Sequence, residues 1–251
     1  MFSSSVPSAL SQTLRIAAAS DLQFVLPDLA AQYEKQSGVK LAITYGSSGS
    51  FVAQIQNGAP FDLFLSADTG YPRKLVEAGH ADTDSFDVYA WGFLAIWIPP
   101  DSEIDLKGQG YRALLDPRIR KIAIANPEHA PYGRAAVAAL HDAGIYDQIK
   151  SKLVFGENVL QSAQFVQSGN ADAAVIPRSL ALSPRMRSGK RYELTDMRFT
   201  PVEQAAVIMK SSSNREAARS FLGFLRSASA SEIWTKYGYV VTPKPPERLV
   251  R

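Results

Sequence analysis

The sequence predicts an α/β protein built from two lobes. Short β-branched or apolar runs alternate with segments of helical period, which is typical of mostly parallel sheets flanked by helices. Strand-like apolar runs lie on both sides of a middle region, which favours two lobes. The length of 251 residues allows one large domain or two of about 100–150 residues each.

Six strands and seven helices are predicted along the chain. The strands are the runs 14–19, 41–45, 62–66, 93–98, 121–125 and 173–176. The helices after the first are the segments 51–57, 71–78, 134–142, 160–168, 215–225 and 230–237. The first helix has apolar residues at helical spacing from Leu22 to Tyr33 and stops at Gly38. Pro27 lies inside this pattern, so the helix either kinks there or begins near Pro27.

The composition excludes several classes of protein. Hydrophobic residues make up 46% of the chain and charged residues 20%, which excludes wholesale disorder. Without cysteine there is no disulfide framework, thiol nucleophile or thiolate metal site. The net charge of +3 is scattered. Its densest basic stretch, 185–191, is interpreted as a solvated loop rather than an anion or nucleic-acid patch. No apolar run reaches the roughly 18 residues that a membrane span needs.

The N-terminal segment 1–13 is predicted to be a disordered or polar lead-in to the first strand. Its first twelve residues have no helical period and no apolar run of the kind found in signal peptides. Any signal peptide is therefore expected to have been removed from this sequence.

Four turns between a strand and a helix are the places where the sequence offers chemistry. These turns comprise residues 17–21, 45–50, 126–133 and 155–159. A helix N-terminus has unpaired N–H groups and a partial positive charge, and small residues let an anion approach the backbone closely. Four converging turns of this kind would bind an oxyanion without Lys or Arg. The alternative is that Ser20, Asp21, Ser48 and Asn158 serve only as helix N-caps.

Enzymatic interpretations find little support in the sequence. The three histidines, His80, His129 and His141, have no partner at a zinc-like spacing. The segment 46–49 is neither a nucleophile elbow nor a phosphate loop, and no GxGxxG motif occurs. We therefore expect a binding protein with no catalytic residue, no cofactor and no cation site.

The same turns carry a resemblance to a known family. The matching segments, in the family's order, are 17–20, 46–48, 54–68, 126–133 and 234–239. They include the blocks G-A-P-x-D-L-F-x-S-A-D and P-E-H-x-P-x-G, which are specific in combination. In these segments the sequence resembles the molybdate-binding periplasmic proteins of ABC importers.

The resemblance implies a type II-like periplasmic-binding-protein fold with the ligand in the cleft between the lobes. The first lobe would comprise residues 14–90 plus 203–251, and the second residues 91–202. The ligand, molybdate or tungstate, would be held by Ser20, Ser48, Tyr132 and Val159, and Asp21, Ser47 and Arg178 are further candidates. The implied protein is an extracytoplasmic monomer that delivers the anion to a membrane permease and binds no nucleic acid.

One position departs from the family's pattern. Many members supply a tyrosine hydroxyl at the end of the strand 173–176, where this sequence has Pro177 followed by Arg178. Proline supplies no N–H either. The phenol of Tyr132 is the first candidate to replace the lost donor, and Arg178 is the second. Three alternatives stay open: a binding protein for a different oxyanion, a two-lobed oxyanion sensor, and, more weakly, an α/β enzyme.

Overall fold

Residues 13–194 and 199–241 are described by the computed structural model. The predicted lead-in lies outside these residues except for Thr13, which begins the first strand. Ten strands are present in the described part of the chain: β1 Thr13–Ala19, β2 Lys40–Gly46, β3 Leu63–Ser66, β4 Asp87–Gly92, β5 Leu94–Ile98, β6 Ile122–Ala125, β7 Leu153–Gly156, β8 Ala173–Pro177, β9 Lys190–Leu194 and β10 Val202–Ile208.

The α-helices of the described residues alternate with these strands. They are α1 Leu26–Ser37, α2 Ser48–Gln56, α3 Gly70–Glu77, α4 Leu106–Gln109, α5 Pro131–Asp142, α6 Tyr146–Ile149, α7 Val159–Gln167, α8 Arg178–Ala181, α9 Arg215–Leu225 and α10 Ala228–Lys236. Short 3-10 turns lie at Ser20–Gln23, Thr83–Ser85, Gly110–Leu115 and Lys150–Lys152. None of these helices is long and apolar enough to cross a membrane.

The strands form two five-stranded sheets. The order is β2-β1-β3-β10-β4 in the first sheet and β7-β6-β8-β5-β9 in the second. Phe93 alone separates β4 of the first sheet from β5 of the second, and the chain returns to the first sheet between Leu194 and Val202. The α/β class is therefore confirmed, whereas the exact lobe boundaries stay a prediction.

Both sheets are mixed, which corrects the expectation of mostly parallel sheets. In the first, β1 pairs in parallel with β2 and β3, but β10 is antiparallel to β3 and β4. In the second, β6 pairs in parallel with β7 and β8, but β5 is antiparallel to β8 and β9. The antiparallel pairs arise because the chain crosses from one sheet to the other. Because β10 enters the first sheet from the second, it begins at the edge where β1 and β3 end.

Helix α1 decides between the two sequence-based alternatives for Pro27. The helix begins at Leu26 with the proline in its first turn, where a missing N–H costs no intrahelical bond. It ends at Gly38, whose φ of 74° is favourable only without a side chain. The helix therefore starts near Pro27 and does not kink there.

Apolar faces hold the helices against the sheets. One face of the first sheet packs on α1, α9 and α10, with Trp234 fully buried among them. The opposite face packs on α2 and α3 through Phe51, Phe64 and Leu75. The second sheet has its own core, which includes Ile96, Ile124 and Ile176. These packed layers fix the strand ends and so fix the turns that follow them.

Candidate functional site

Ser20 is the first residue after β1 and begins the 3-10 turn. Its side chain is buried, with 4% of the residue exposed. Among the described residues the Ser20 hydroxyl has no hydrogen-bond partner, and it caps no helix, because the residue at the N-cap position is Ala19. Since buried polar groups are normally paired, this hydroxyl is available to a ligand.

The two serines after β2 have different roles. Ser47 is the N-cap of α2: its hydroxyl accepts from the Ser50 amide at 3.3 Å and lies 2.7 Å from the Ser50 hydroxyl. Ser48 Oγ accepts from the Ala67 amide at 3.1 Å, so its own proton is free to be donated. The alternative that Ser48 is an N-cap is therefore wrong.

The N-termini of α5 and α7, which follow strands of the second sheet, face these serines. Tyr132 is the second residue of α5, and Val159 is the first residue of α7, so both backbone N–H groups lie in a first helical turn. Asn158 caps α7 by accepting from the Leu160 and Gln161 amides, as the N-cap interpretation predicts. Gly133 lets α5 start close to β6, because a Cβ there would overlap the Ala125 carbonyl oxygen.

A small cavity lies where these turns meet. Six of the seven candidate residues predicted from the sequence line this cavity. The lining comprises Ala19, Ser20, Asp21, Gly46, Ser47, Ser48, Ala67, Ala130, Pro131, Tyr132 and Val159. No Lys, Arg or His is among these residues, so the positive potential comes from N–H groups and helix ends.

Arg178 lies outside this cavity. Its Nε forms an ion pair with Glu193 Oε2 at 3.0 Å. Its guanidinium also lies 6.0 Å from the ring centroid of Phe93. The expectation that Arg178 supplies charge to the anion is therefore not supported by its position, because it lies outside the cavity and pairs with Glu193, a carboxylate that it shares with Arg191.

Asp21 is the unexpected member of the lining. Its Oδ2 accepts from Gln204 Nε2 and from the Tyr239 hydroxyl, both at 2.7 Å. Its Oδ1 is buried without a hydrogen-bond partner among the described residues. Burial raises the pKa of Asp21 to about 6, although the hydrogen bonds from Tyr239 and Gln204 act in the opposite direction.

The Tyr132 phenol belongs to this buried cluster. Its hydroxyl oxygen accepts from Gln204 Nε2 at 2.9 Å. Burial and the charge of Asp21 raise the pKa of the phenol well above its ordinary value. Gln204 was not predicted from the sequence, although a glutamine within the apolar run of β10 was a usable signal, and Tyr239 was included only as part of the matching segment 234–239.

Contacts across the cleft hold the two sheets together around the cavity. The Gly49 amide donates to the His129 carbonyl oxygen at 3.0 Å. A Cβ at Gly49 would lie 2.8 Å from that oxygen, so only glycine allows this approach. Arg134 of α5 pairs with Asp68, which follows β3, and lies 5.1 Å from the ring centroid of Tyr71. The structure therefore has a closed cleft.

A larger cavity of about 440 Å³ lies beside this ion pair. Three carboxylates, those of Asp68, Asp142 and Glu203, line it against the single guanidinium of Arg134. Because that balance repels anions, the smaller cavity is the better candidate for an oxyanion.

Comparison with known proteins identifies the family to which this chain is similar. The family of bacterial extracellular solute-binding proteins matches residues 14–240. The molybdate-binding protein ModA of Rhodobacter capsulatus is 35% identical over 213 residues, which cover 85% of this chain and 82% of that protein. The ModA of Azotobacter vinelandii is 34% identical over 227 residues, covering 90% and 89% of the two chains.

Solved structures give the same picture. The Azotobacter vinelandii periplasmic molybdate-binding protein superposes with a TM-score of 0.84 at 32% identity, over 91% of this chain and 99% of that one. The sulfate-binding protein SubI from Mycobacterium tuberculosis H37Rv superposes with a TM-score of 0.72 at 17% identity, over 92% and 88%. The second likeness shows a shared fold alone, whereas the first confirms the resemblance seen in the sequence.

Proposed function

The chain belongs to the bacterial extracellular solute-binding protein family, and from that premise we propose that it captures molybdate or tungstate for an ABC importer. Members of this family bind solutes outside the cytoplasm and catalyse no reaction, in agreement with the predicted binding protein. The observation that carries the proposed ligand is the small cavity lined by serine hydroxyls and helix N-termini without any cationic side chain.

The donor set suits a fully deprotonated tetrahedral oxyanion. Ser20 and Ser48 have hydroxyl protons to donate, and the amides of Tyr132 and Val159 lie in first helical turns. These four groups approach from both sheets, so they can surround an anion. Donors spaced for molybdate would also select by size, because a smaller anion such as sulfate would not reach all of them at once.

The two sheets are proposed to be the two lobes, 14–90 plus 203–251 and 91–202. The ligand would join them, because the serines come from the first sheet and the α5 and α7 N-termini from the second. Opening would separate the two halves of the donor set and release the anion. The closed form would then be presented, as a monomer, to a membrane permease.

Calorimetric titration of ligand-stripped protein tests this function. We expect molybdate and tungstate to bind with micromolar or better affinity, about −8 kcal/mol or stronger. Sulfate and phosphate are the comparison anions and should bind far more weakly. Saturating molybdate, about 100-fold above its Kd, should add about 2.7 kcal/mol to the free energy of unfolding. Equal binding of sulfate, or no shift in Tm with molybdate, contradicts the proposal.

A further inference from the structure

We propose that Asp21 determines which oxyanions this site accepts, because its carboxyl must be neutral when a dianion is bound. The protein then takes up one proton together with the anion. This inference rests on the proposed function and concerns the same cavity.

The Asp21 carboxyl is buried in the lining of the cavity, and one of its two oxygens is unpaired within the part of the chain that the structure describes. Asp21 is 1% exposed and follows Ser20 directly, so it lies beside the proposed ligand. Oδ2 accepts from two donors, the Gln204 amide and the Tyr239 hydroxyl, and the Tyr132 phenol is a further hydrogen-bonding neighbour of the carboxyl. Oδ1 has no partner among the described residues, so it is the oxygen on which a proton would reside. Protonated Oδ1 is a hydrogen-bond donor, like the other groups of the site.

The groups that face Asp21 from the surrounding elements do not neutralise it. They are phenols and neutral polar groups: Tyr132 from α5, Tyr239 after α10, Tyr89 from β4, Gln204 from β10 and Ser179 from α8. Burial and the charge of Asp21 keep the pKa values of the three phenols well above their ordinary value, so the phenols stay neutral. Arg178, next to Ser179, is paired with Glu193.

Two charges of the same sign in this cavity would repel strongly. Burial already favours the neutral form of Asp21 before any ligand arrives. A dianion in contact with the same wall raises the pKa of the carboxyl further, since like charges at short distance in a poorly solvated site cost several kcal/mol. Binding of a dianion and of a proton to Asp21 are therefore coupled, and each promotes the other.

An ionised Asp21 would select a different ligand. A carboxylate only accepts hydrogen bonds, so it would favour an oxyanion that still carries a proton, such as hydrogen phosphate. Neutral Asp21 therefore favours a fully deprotonated oxyanion, and ionised Asp21 favours a protonated one. Measuring proton uptake on ligand binding distinguishes the two protonation states.

The test is calorimetry of the wild-type protein with molybdate in buffers of different ionisation enthalpy. Above about pH 7 we expect close to one proton taken up per molybdate bound. The association constant should fall by about tenfold per pH unit above the pKa of free Asp21, and should level off below it. A binding enthalpy that is independent of buffer, with affinity flat from about pH 6 to about pH 9, overturns the proposal.

Asp21→Asn supplies the second measurement. Asparagine keeps the shape and the acceptor oxygen and places a permanent donor where the proton would reside. We expect proton uptake near zero and an affinity that changes less than about twofold over the same pH range. Asp147→Asn is the matched control, because it removes an exposed carboxylate paired with Lys150, and it should retain the wild-type pH dependence.

The remaining outcomes show whether the Asp21 inference, the proposed function or both are wrong. Phosphate that binds as tightly as molybdate without proton uptake shows an ionised Asp21 and overturns the inference. Molybdate binding with normal affinity but no proton uptake overturns it while the function stands. A wild-type protein that binds molybdate at no pH in this range overturns both. If Asp21→Asn does not fold, the wild-type calorimetry decides alone.

Discussion

Arg134 Nη2 lies 2.5 Å from Asp68 Oδ2, and this contact joins the first turns of α5 to the loop after β3 in the other sheet. The same guanidinium donates to the Tyr71 hydroxyl at 3.3 Å. The contact therefore bridges the proposed cleft beside the cavity, and it exists only when the two lobes are close together.

Arg134→Ala should therefore destabilise the closed form. The pair is partly exposed, with side-chain exposures of 42% and 21%. Screening by solvent limits its contribution, and we expect the Kd for molybdate to rise about two- to fivefold through faster dissociation. Stopped-flow tryptophan fluorescence measures the rate. Arg226→Ala, which removes an ion pair with Asp87 inside the first lobe, is the control and should leave the dissociation rate unchanged.

Ser20→Ala tests a hydroxyl with no structural partner. Because the Ser20 hydroxyl bonds to no described residue, its removal should leave the Tm of the ligand-free protein nearly unchanged. Loss of a hydrogen bond to a charged ligand should weaken molybdate binding by about 1.5–3 kcal/mol. Calorimetry and thermal denaturation report the two effects separately. A normal affinity would remove Ser20 from the site.

Ser47→Ala and Ser48→Ala should differ from each other. Ser47 caps α2, so its loss should cost about 1 kcal/mol of stability with a small effect on binding. Ser48 accepts from the Ala67 amide and has a proton for the ligand, so its loss should lower stability by about 1–3 kcal/mol and weaken binding by about 1.5–3 kcal/mol. Denaturant titration gives the stabilities, and calorimetry gives the affinities. The reverse ranking of the two affinities would contradict these roles.

Tyr132→Phe should act mainly through Asp21. The phenol accepts from Gln204, and its interaction with Asp21 lowers the pKa of that carboxyl. Without it the pKa of Asp21 should rise, so the pH at which molybdate affinity begins to fall should move upward. The affinity loss should be smaller than that of Ser20→Ala, since the Tyr132 amide remains. A loss as large as that of Ser20→Ala would instead make the phenol a direct donor to the anion, replacing the tyrosine absent at Pro177.

Asp21 should also make the ligand-free protein less stable as the pH rises. Its pKa is about 6 in the folded protein against an ordinary 3.8, so the folded state binds more protons between these values. Stability is then fully present below about pH 4 and falls as the pH rises through about 6. The shift of about two pKa units corresponds to roughly 3 kcal/mol for this fully buried group.

Asp21→Asn removes this cost of ionisation. The variant should therefore raise the free energy of unfolding of the ligand-free protein at about pH 8, and have little effect at about pH 4. Thermal denaturation at the two pH values checks the sign. Asp147→Asn should not stabilise the protein at about pH 8, because the ion pair with Lys150 lowers the pKa of this exposed carboxylate and favours its ionised form. A stabilisation that is equal at both pH values would contradict ionisation of Asp21 as its cause.

The sequence by itself determined the α/β class and the position of every turn in the candidate site. These features depend on short-range chemistry. Gly46 and the serines after it end a strand and start a helix, and Gly38 ends α1, through preferences that act within a few residues. The order of the turns and the two specific sequence blocks also determined the family, because these motifs can be read directly from one amino-acid sequence.

Only the tertiary structure decided which side chains complete the site. Gln204 and Tyr239 reach Asp21 across 183 and 218 residues of sequence, and no local pattern encodes such a meeting. The antiparallel entry of β10 places Gln204 at the strand ends, and this entry depends on how the chain returns from the second sheet. Arg178, the first residue of α8, lies outside the cavity and pairs with Glu193 of β9, a contact that only the folded chain creates. Long-range packing sets these contacts, and burial then sets the pKa of Asp21, which is a property of its surroundings in the folded protein.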